Sequence, residues 1–153
     1  MKISLIVIAG LVAAAAMTLY LDVMSLIIVA NLKVVKILGT MVTSETTAEG
    51  LVSQSSRALG WGYGLHYLVG FIFSWAFFYL LLKFPKIKLN LKSALWLGII
   101  AGCIGVTVWR VFFALHPYPP AIDLKVFLIN IFIGHIVYAF TLVTIKRVII
   151  YSI

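Results

Sequence analysis

Apolar residues along this chain fall neither in the alternating pattern of a strand nor in the narrow stripe of a surface helix. They come in long blocks separated by short polar breaks. The blocks cover about residues 3–30, 63–82, 94–115 and 126–145, each at least the roughly 20 residues a helix needs to cross a hydrocarbon core. Charge, proline or glycine bounds each of the last three. The pattern predicts an all-α protein, an integral membrane bundle of four transmembrane helices forming one domain over residues 1–153. The first block is longer than a span, so its helix tilts or leaves the membrane early. Its opening, Lys2 followed by an apolar stretch and Ala13 to Ala16, also has the make-up of a secretory signal. The apolar character running on through Leu26, Ile27 and Ile28 favours a retained span.

The three connections differ. Residues 31–62 are long and rich in Ser, Thr and Gly, 83–92 are short and basic, and 116–125 are short with three prolines. With four spans, Lys2, Lys83, Lys86, Lys88, Lys92, Lys146 and Arg147 share one side, against Lys33, Lys36, Arg57 and Lys125 on the other. The positive-inside bias then predicts cytoplasmic N- and C-termini and an extracytoplasmic loop at 31–62.

Composition agrees: 64% of residues are hydrophobic and 10% charged, whereas soluble domains carry roughly 45–50% and about 25%. The net charge of +8 sits at the ends of apolar segments, without the basic patch interleaved with exposed aromatics that nucleic acid requires. The lone Cys103 excludes an intrachain disulfide. Trp61, Tyr63, Tyr67 and Tyr118 fit an aromatic belt at the interface.

Lipid offers helices no hydrophobic reason to pair, so small residues that let backbones approach become informative. They recur four apart on every span: Gly10, Ala14 and Thr18; Gly70 and Ser74; Gly98 and Gly102, with Ala101 and Gly105 beside them; Asn130 and Gly134. A compact bundle is expected. On a helix continuous to Leu38, Thr18, Asp22, Ser25, Lys33 and Lys36 share one face; the alternative is a bend near Asp22, with the second half lying on the membrane surface.

Ionisable groups within a span cost about 2.5–3.5 kcal/mol each at the helix centre and raise a functional hypothesis. Asp22 and Arg110 are such groups, and at 1.5 Å per residue both lie about 24–29 Å from the cytoplasmic ends, near His66 and Asn130. An intramembrane polar cluster of Asp22, His66, Arg110, Asn130 and His135 follows, with Asp22 pairing to Arg110. The bland alternative is a structural ion pair, or an Arg110 that snorkels to the head groups. His66 and His135 come out about 8–10 Å apart in depth on the same count, awkward for two ligands of one haem iron. No haem-attachment, zinc, phosphate-loop or nucleophile-elbow motif is present, so neither catalytic residues nor a cofactor or metal is expected.

Ala9-Gly10-Leu11-Val12-Ala13, Leu21-Asp22-Val23-Met24, Leu38-Gly39-Thr40-Met41, His66-Tyr67-Leu68-Val69-Gly70 and Gly134-His135-Ile136-Val137-Tyr138 together resemble uncharacterised bacterial four-helix membrane proteins, YagU-like or grouped as domains of unknown function. The resemblance spans most of the chain. It implies a small inner-membrane protein with a histidine opening the second span and another in the fourth, and no assigned activity. The chain departs from that family at His116-Pro117-Tyr118-Pro119-Pro120, where a glycine-containing stretch is expected after a proline.

The functional expectation is a non-catalytic accessory or assembly subunit of a larger membrane complex, in contact with lipid and with membrane-protein partners or further copies of itself. The rivals are a haem-, quinone- or ion-binding bundle and a small transporter or channel subunit using the polar cluster.

Overall fold

A computed structural model describes residues 3–84 and 90–151. Lys2, Lys86 and Lys88, which contribute to the charge asymmetry, lie outside the described residues. Five helices follow in order: α1 (Ile3–Ile27), α2 (Val34–Thr43), α3 (Ser56–Lys83), α4 (Leu91–Leu115) and α5 (Leu124–Tyr151). Four of them, α1, α3, α4 and α5, are long and apolar enough to cross a membrane, which makes this a multi-pass helical membrane protein. The spans match the apolar blocks, and the fifth helix, α2, lies inside what the block pattern leaves as a loop.

The first helix neither runs on to Leu38 nor bends at Asp22. It stops at Ile27, the chain turns through Val29 at φ 51°, and Ser25 closes the turn from within. The Ser25 hydroxyl donates to the Ala30 carbonyl (2.5 Å) and accepts from the Leu32 N–H (3.4 Å). A serine placed this way offers the backbone an alternative to another helical turn. The new helix, α2, buries Val34, Val35, Ile37 and Met41, an amphipathic face with helical spacing.

Neighbouring spans form an open row. α4 packs on α5, α5 on α1, α1 on α3, and α2 on the start of α3. α3 and α4 therefore flank a central pair without packing on each other. α2 fills the loop end of the gap between them: Leu38 points into it, and the Met41 carbonyl accepts from the His116 ring at the end of α4 (2.7 Å).

Small residues set the spacing at each seam. A Cβ on Gly10 would lie 2.9 Å from that of Ser74, and one on Gly70 would lie 2.8 Å from that of Ala14, so α1 and α3 approach backbone to backbone. The Ser74 hydroxyl donates across this seam to the Ile6 carbonyl (3.0 Å). α2 and α3 come closer still, since a Cβ on Gly39 would run into the Ala58 carbonyl and one on Gly62 into that of Val35.

The segment from Ser44 to Ser55 folds into a cap. Ser44 ends α2 in the left-handed conformation, and Ser55 starts α3 by accepting from the Ala58 N–H (3.0 Å). Glu45 gathers the ends of this segment, accepting from Ser53 (3.0 Å) and from Ser55, with the Arg57 guanidinium 3.9 Å away. These hydroxyls, with Arg57 behind them, hold the Glu45 carboxyl below the usual carboxylate range. The cap is sewn to the α4–α5 turn by Ala121 N–H donating to Gly50 (2.8 Å) and Thr46 donating to Tyr118 (2.7 Å).

Candidate functional site

The gap between α3 and α4 holds a cavity of about 130 Å³. All five helices contribute to its wall: Ala14 and Met17 from α1, Leu38 from α2, His66 and Phe73 from α3, Trp109 and Phe112 from α4, His135 and Tyr138 from α5. Val69 and Val108 also line it while remaining 46% and 59% exposed, so the cavity opens sideways through the surface that faces lipid.

Both histidines are buried and each is locked by one ring nitrogen. The Thr18 hydroxyl lies 2.9 Å from the Ala14 carbonyl and 2.9 Å from His66 Nε2. With the hydroxyl proton on the carbonyl, Nε2–H donates to Thr18 and Nδ1 carries the lone pair. His135 Nδ1 stands 2.8 Å from the Ile131 carbonyl and must donate to it, leaving its lone pair on Nε2. Among the described residues every fully buried side-chain nitrogen and oxygen has a hydrogen-bond partner. The two remaining ring nitrogens have no protein donor among the described residues, and both rings line the cavity.

Position follows from sequence through the helix period. His66 stands one turn above Gly70 and two above Ser74, on the face of α3 that packs against α1. His135 fits because α4 has no side chain at Gly105; a Cβ there would clash with the imidazole Cε1 and lie 2.8 Å from Nε2. Tyr138, one turn beyond His135, donates to the Gly70 carbonyl (2.5 Å) and ties α5 to α3 beneath the cavity. Trp109, one turn beyond Gly105, packs edge-on against Phe127 with ring centroids 4.9 Å apart, and Phe73 meets His135 at 5.9 Å.

The five residues singled out by depth are spread over distinct environments. His66 and His135 share the cavity despite the offset in their residue counts. Asn130 is buried one and a half turns before His135, accepting from the Tyr20 hydroxyl (2.9 Å) and donating to Val126 (2.9 Å), a bridge between α5 and α1. Asp22 is exposed in a separate pocket with Thr18, Lys33, Lys36 and Tyr63. Arg110 is exposed on the far side of α4, beside Phe113, Pro119 and Pro120. Asp22 and Arg110 are not paired: the single ion pair among the described residues is Arg57 with Glu45. The expected pairing fails because α1 and α4 lie on opposite sides of α5, and depth along a helix carries no information about which way a residue faces.

No protein family, curated protein or solved structure matches this chain. Its site is read from its own geometry.

Thr18, Gly105, Trp109 and Tyr138 complete the site although none is ionised and none belongs to the polar cluster expected from depth. A trace of them exists in the sequence, since Gly98, Gly102, Gly105 and Trp109 follow one helical face, as do Ile131, His135 and Tyr138. Among the described residues no group of three or more His, Cys, Asp or Glu side chains is placed to hold a metal ion.

Proposed function

We propose that this chain is a non-catalytic component of a bacterial inner membrane, with cytoplasmic termini, that binds the single-ring head of a lipid-soluble quinol or related phenol between α3 and α4. The observation that carries this reading is that two buried histidines, His66 and His135, each engaged through one ring nitrogen, line one aromatic-walled cavity with exposed Val69 and Val108 at its edge. Two acceptors suit a ring bearing hydroxyl donors. Phe73, Trp109 and Phe112 offer it aromatic walls, and the gap at Val69 and Val108 lets an isoprenoid or acyl tail trail into the bilayer.

Size selects among the ligand classes. A cavity near 150 Å³ accepts benzene, so about 130 Å³ suits one ring and not a four-ring macrocycle such as haem. Buried neutral imidazoles act as acceptors for such hydroxyls. The chain thus fits a ring-holding subunit working beside membrane-protein partners, and its kinship with YagU-like proteins belongs to the same reading.

Quenching of tryptophan fluorescence by a short-tailed quinol tests it, with Trp109 in the cavity wall as reporter. Saturable quenching is expected for the protein in nanodiscs, weakened about five- to tenfold in His66→Leu and in His135→Leu, the effect of losing one hydrogen bond of about 1 kcal/mol. Absence of saturable quenching, or quenching indifferent to both substitutions, overturns the proposal. Labelling of single cysteines placed at residue 48 and at the termini with a membrane-impermeant thiol reagent, in a Cys103→Ser background, tests the orientation.

A further inference from the structure

On the other side of α1, where it parts from α2 and α3, a second pocket of about 270 Å³ is lined by Thr18, Asp22, Lys33, Lys36 and Tyr63. Its height in the membrane follows from helix lengths. Tyr63 stands 20 residues from Lys83 along α3, and Asp22 stands 19 from Ile3 along α1, about 30 Å and 28 Å at 1.5 Å per residue. That is one hydrocarbon thickness, so the pocket lies at the edge of the bilayer, level with head groups.

Charge in this pocket is only partly balanced, two lysines against one aspartate. Lys33 and Lys36 open α2, where the helix carries its positive end and acidic residues are favoured; none is present in that turn. Lys36 donates to the neutral Gln54 side chain (2.5 Å), which leaves its charge in place. Asp22 faces the same pocket yet forms no ion pair with either lysine. Two cations and one anion thus line a pocket wide enough to keep them apart. Such a lining is complementary to a ligand that carries an anion and a cation together.

We propose that this pocket binds the head group of an amine-bearing phospholipid such as phosphatidylethanolamine. Its phosphate lies between Lys33 and Lys36 within reach of the Tyr63 hydroxyl, and its ammonium donates to Asp22. The primary ammonium matters: a choline head has no N–H to give the carboxylate, and a glycerol head has no cation. The acyl chains run down the lipid-exposed side of α1, past Leu26, Val23 and Leu19. The pocket is independent of the quinol cavity, since a wall formed by the Thr18–His66 hydrogen bond separates the two.

Native mass spectrometry of the full chain released from micelles doped with equal amounts of phosphatidylethanolamine, phosphatidylcholine and phosphatidylglycerol of the same acyl composition tests this. Ethanolamine lipid is expected to be retained about fivefold or more over both others. Asp22→Asn removes the preference for ethanolamine over glycerol lipid, Asp22→Lys turns it toward the glycerol lipid, and Lys33→Gln with Lys36→Gln lowers retention of all three. Equal retention of the three lipids by the unaltered protein overturns the proposal without reference to any variant, as does a preference that survives both Asp22→Asn and the double lysine change. Displacement of bound lipid by equimolar soluble glycerophosphoethanolamine would reassign the pocket to a free head group and equally overturn the lipid reading.

Discussion

The seam between α1 and α3 and the seam between α4 and α5 use the same small residues at the same spacing and do different things with them. In the first, Gly10 and Gly70 meet Ser74 and Ala14, small against small, and the backbones close up. In the second, the glycines of α4 lie against larger residues of α5, at Gly98 and Gly102 against backbone as well as side chain. A Cβ on Gly98 would lie 2.7 Å from Ile136 Cα and 3.2 Å from its side chain, one on Gly102 would lie 2.7 Å from the Phe132 ring, and Gly105 houses His135. One seam is glued by backbone proximity; the other is a rack of sockets, and its last socket seats a functional ring. A glycine repeat in a membrane helix therefore announces a close neighbour without saying whether backbone or side chain fills the space.

That difference can be broken experimentally. The largest effect is expected where backbone meets backbone: Gly39→Leu or Gly62→Leu forces α2 off α3 and should cost about 3 kcal/mol or more, seen as a lowered midpoint in thermal unfolding of the detergent-solubilised protein. Preservation of the midpoint would show that α2 does not dock as described. In the rack of sockets, Gly105→Ala should cost about 1–3 kcal/mol by overpacking and, by pushing His135 aside, weaken quinol quenching at least tenfold. Gly102→Ala, which presses on the Phe132 ring and its carbonyl and not on His135, should leave quenching within about twofold while costing about 1–3 kcal/mol. If Gly102→Ala and Gly105→Ala behave alike, the sockets are generic packing and the site reading weakens.

Smaller effects sharpen the comparison. Tyr20→Phe removes the α1–α5 bridge to Asn130, and polar contacts between spans average about 0.6 kcal/mol, so a shift of that order in the unfolding midpoint is expected. The last concerns the cap. Glu45 has a carboxyl held below its ordinary value by Ser55 and Ser53, with a contribution from Arg57, so its folded pKa lies under its unfolded one. The stability it lends is present above the unfolded value and is lost as pH falls through the folded one. Amide exchange of residues 46–54 should quicken below about pH 4 in the unaltered protein relative to the exchange chemistry itself, and Glu45→Gln should abolish that acid dependence.

Much of the architecture was legible beforehand because lipid imposes it. A span has to be long, apolar and helical, so the blocks around residues 63–82, 94–115 and 126–145 each match one helix, and only the ends moved. The first block runs to residue 30 but its helix stops at Ile27, where Val29 takes a left-handed conformation and Ser25 holds the turn through the Ala30 carbonyl and the Leu32 N–H. α2 was obscured by its setting: Val34, Val35, Ile37 and Met41 form a helical face, but a ten-residue helix falls below the length at which apolar run alone is decisive. The face joining Thr18 and Asp22 to Lys33 and Lys36 was sensed for the wrong reason. No continuous helix carries it, yet the turn at 28–33 folds α2 back so that the four residues line one pocket.

Sequence by itself determined that the chain lives in a membrane, where its four spans lie to within about two turns at their ends, and that its intramembrane histidines needed an explanation. These follow from hydropathy and the 1.5 Å rise, which fix position along each helix. Tertiary structure decided who meets whom. The order α4–α5–α1–α3 separates Asp22 from Arg110, brings His66 and His135 to one cavity, and turns Gly105 from a generic small residue into the seat of an imidazole. Which face of a helix meets which neighbour depends on packing between segments far apart in the chain, and depth along a single helix does not encode it.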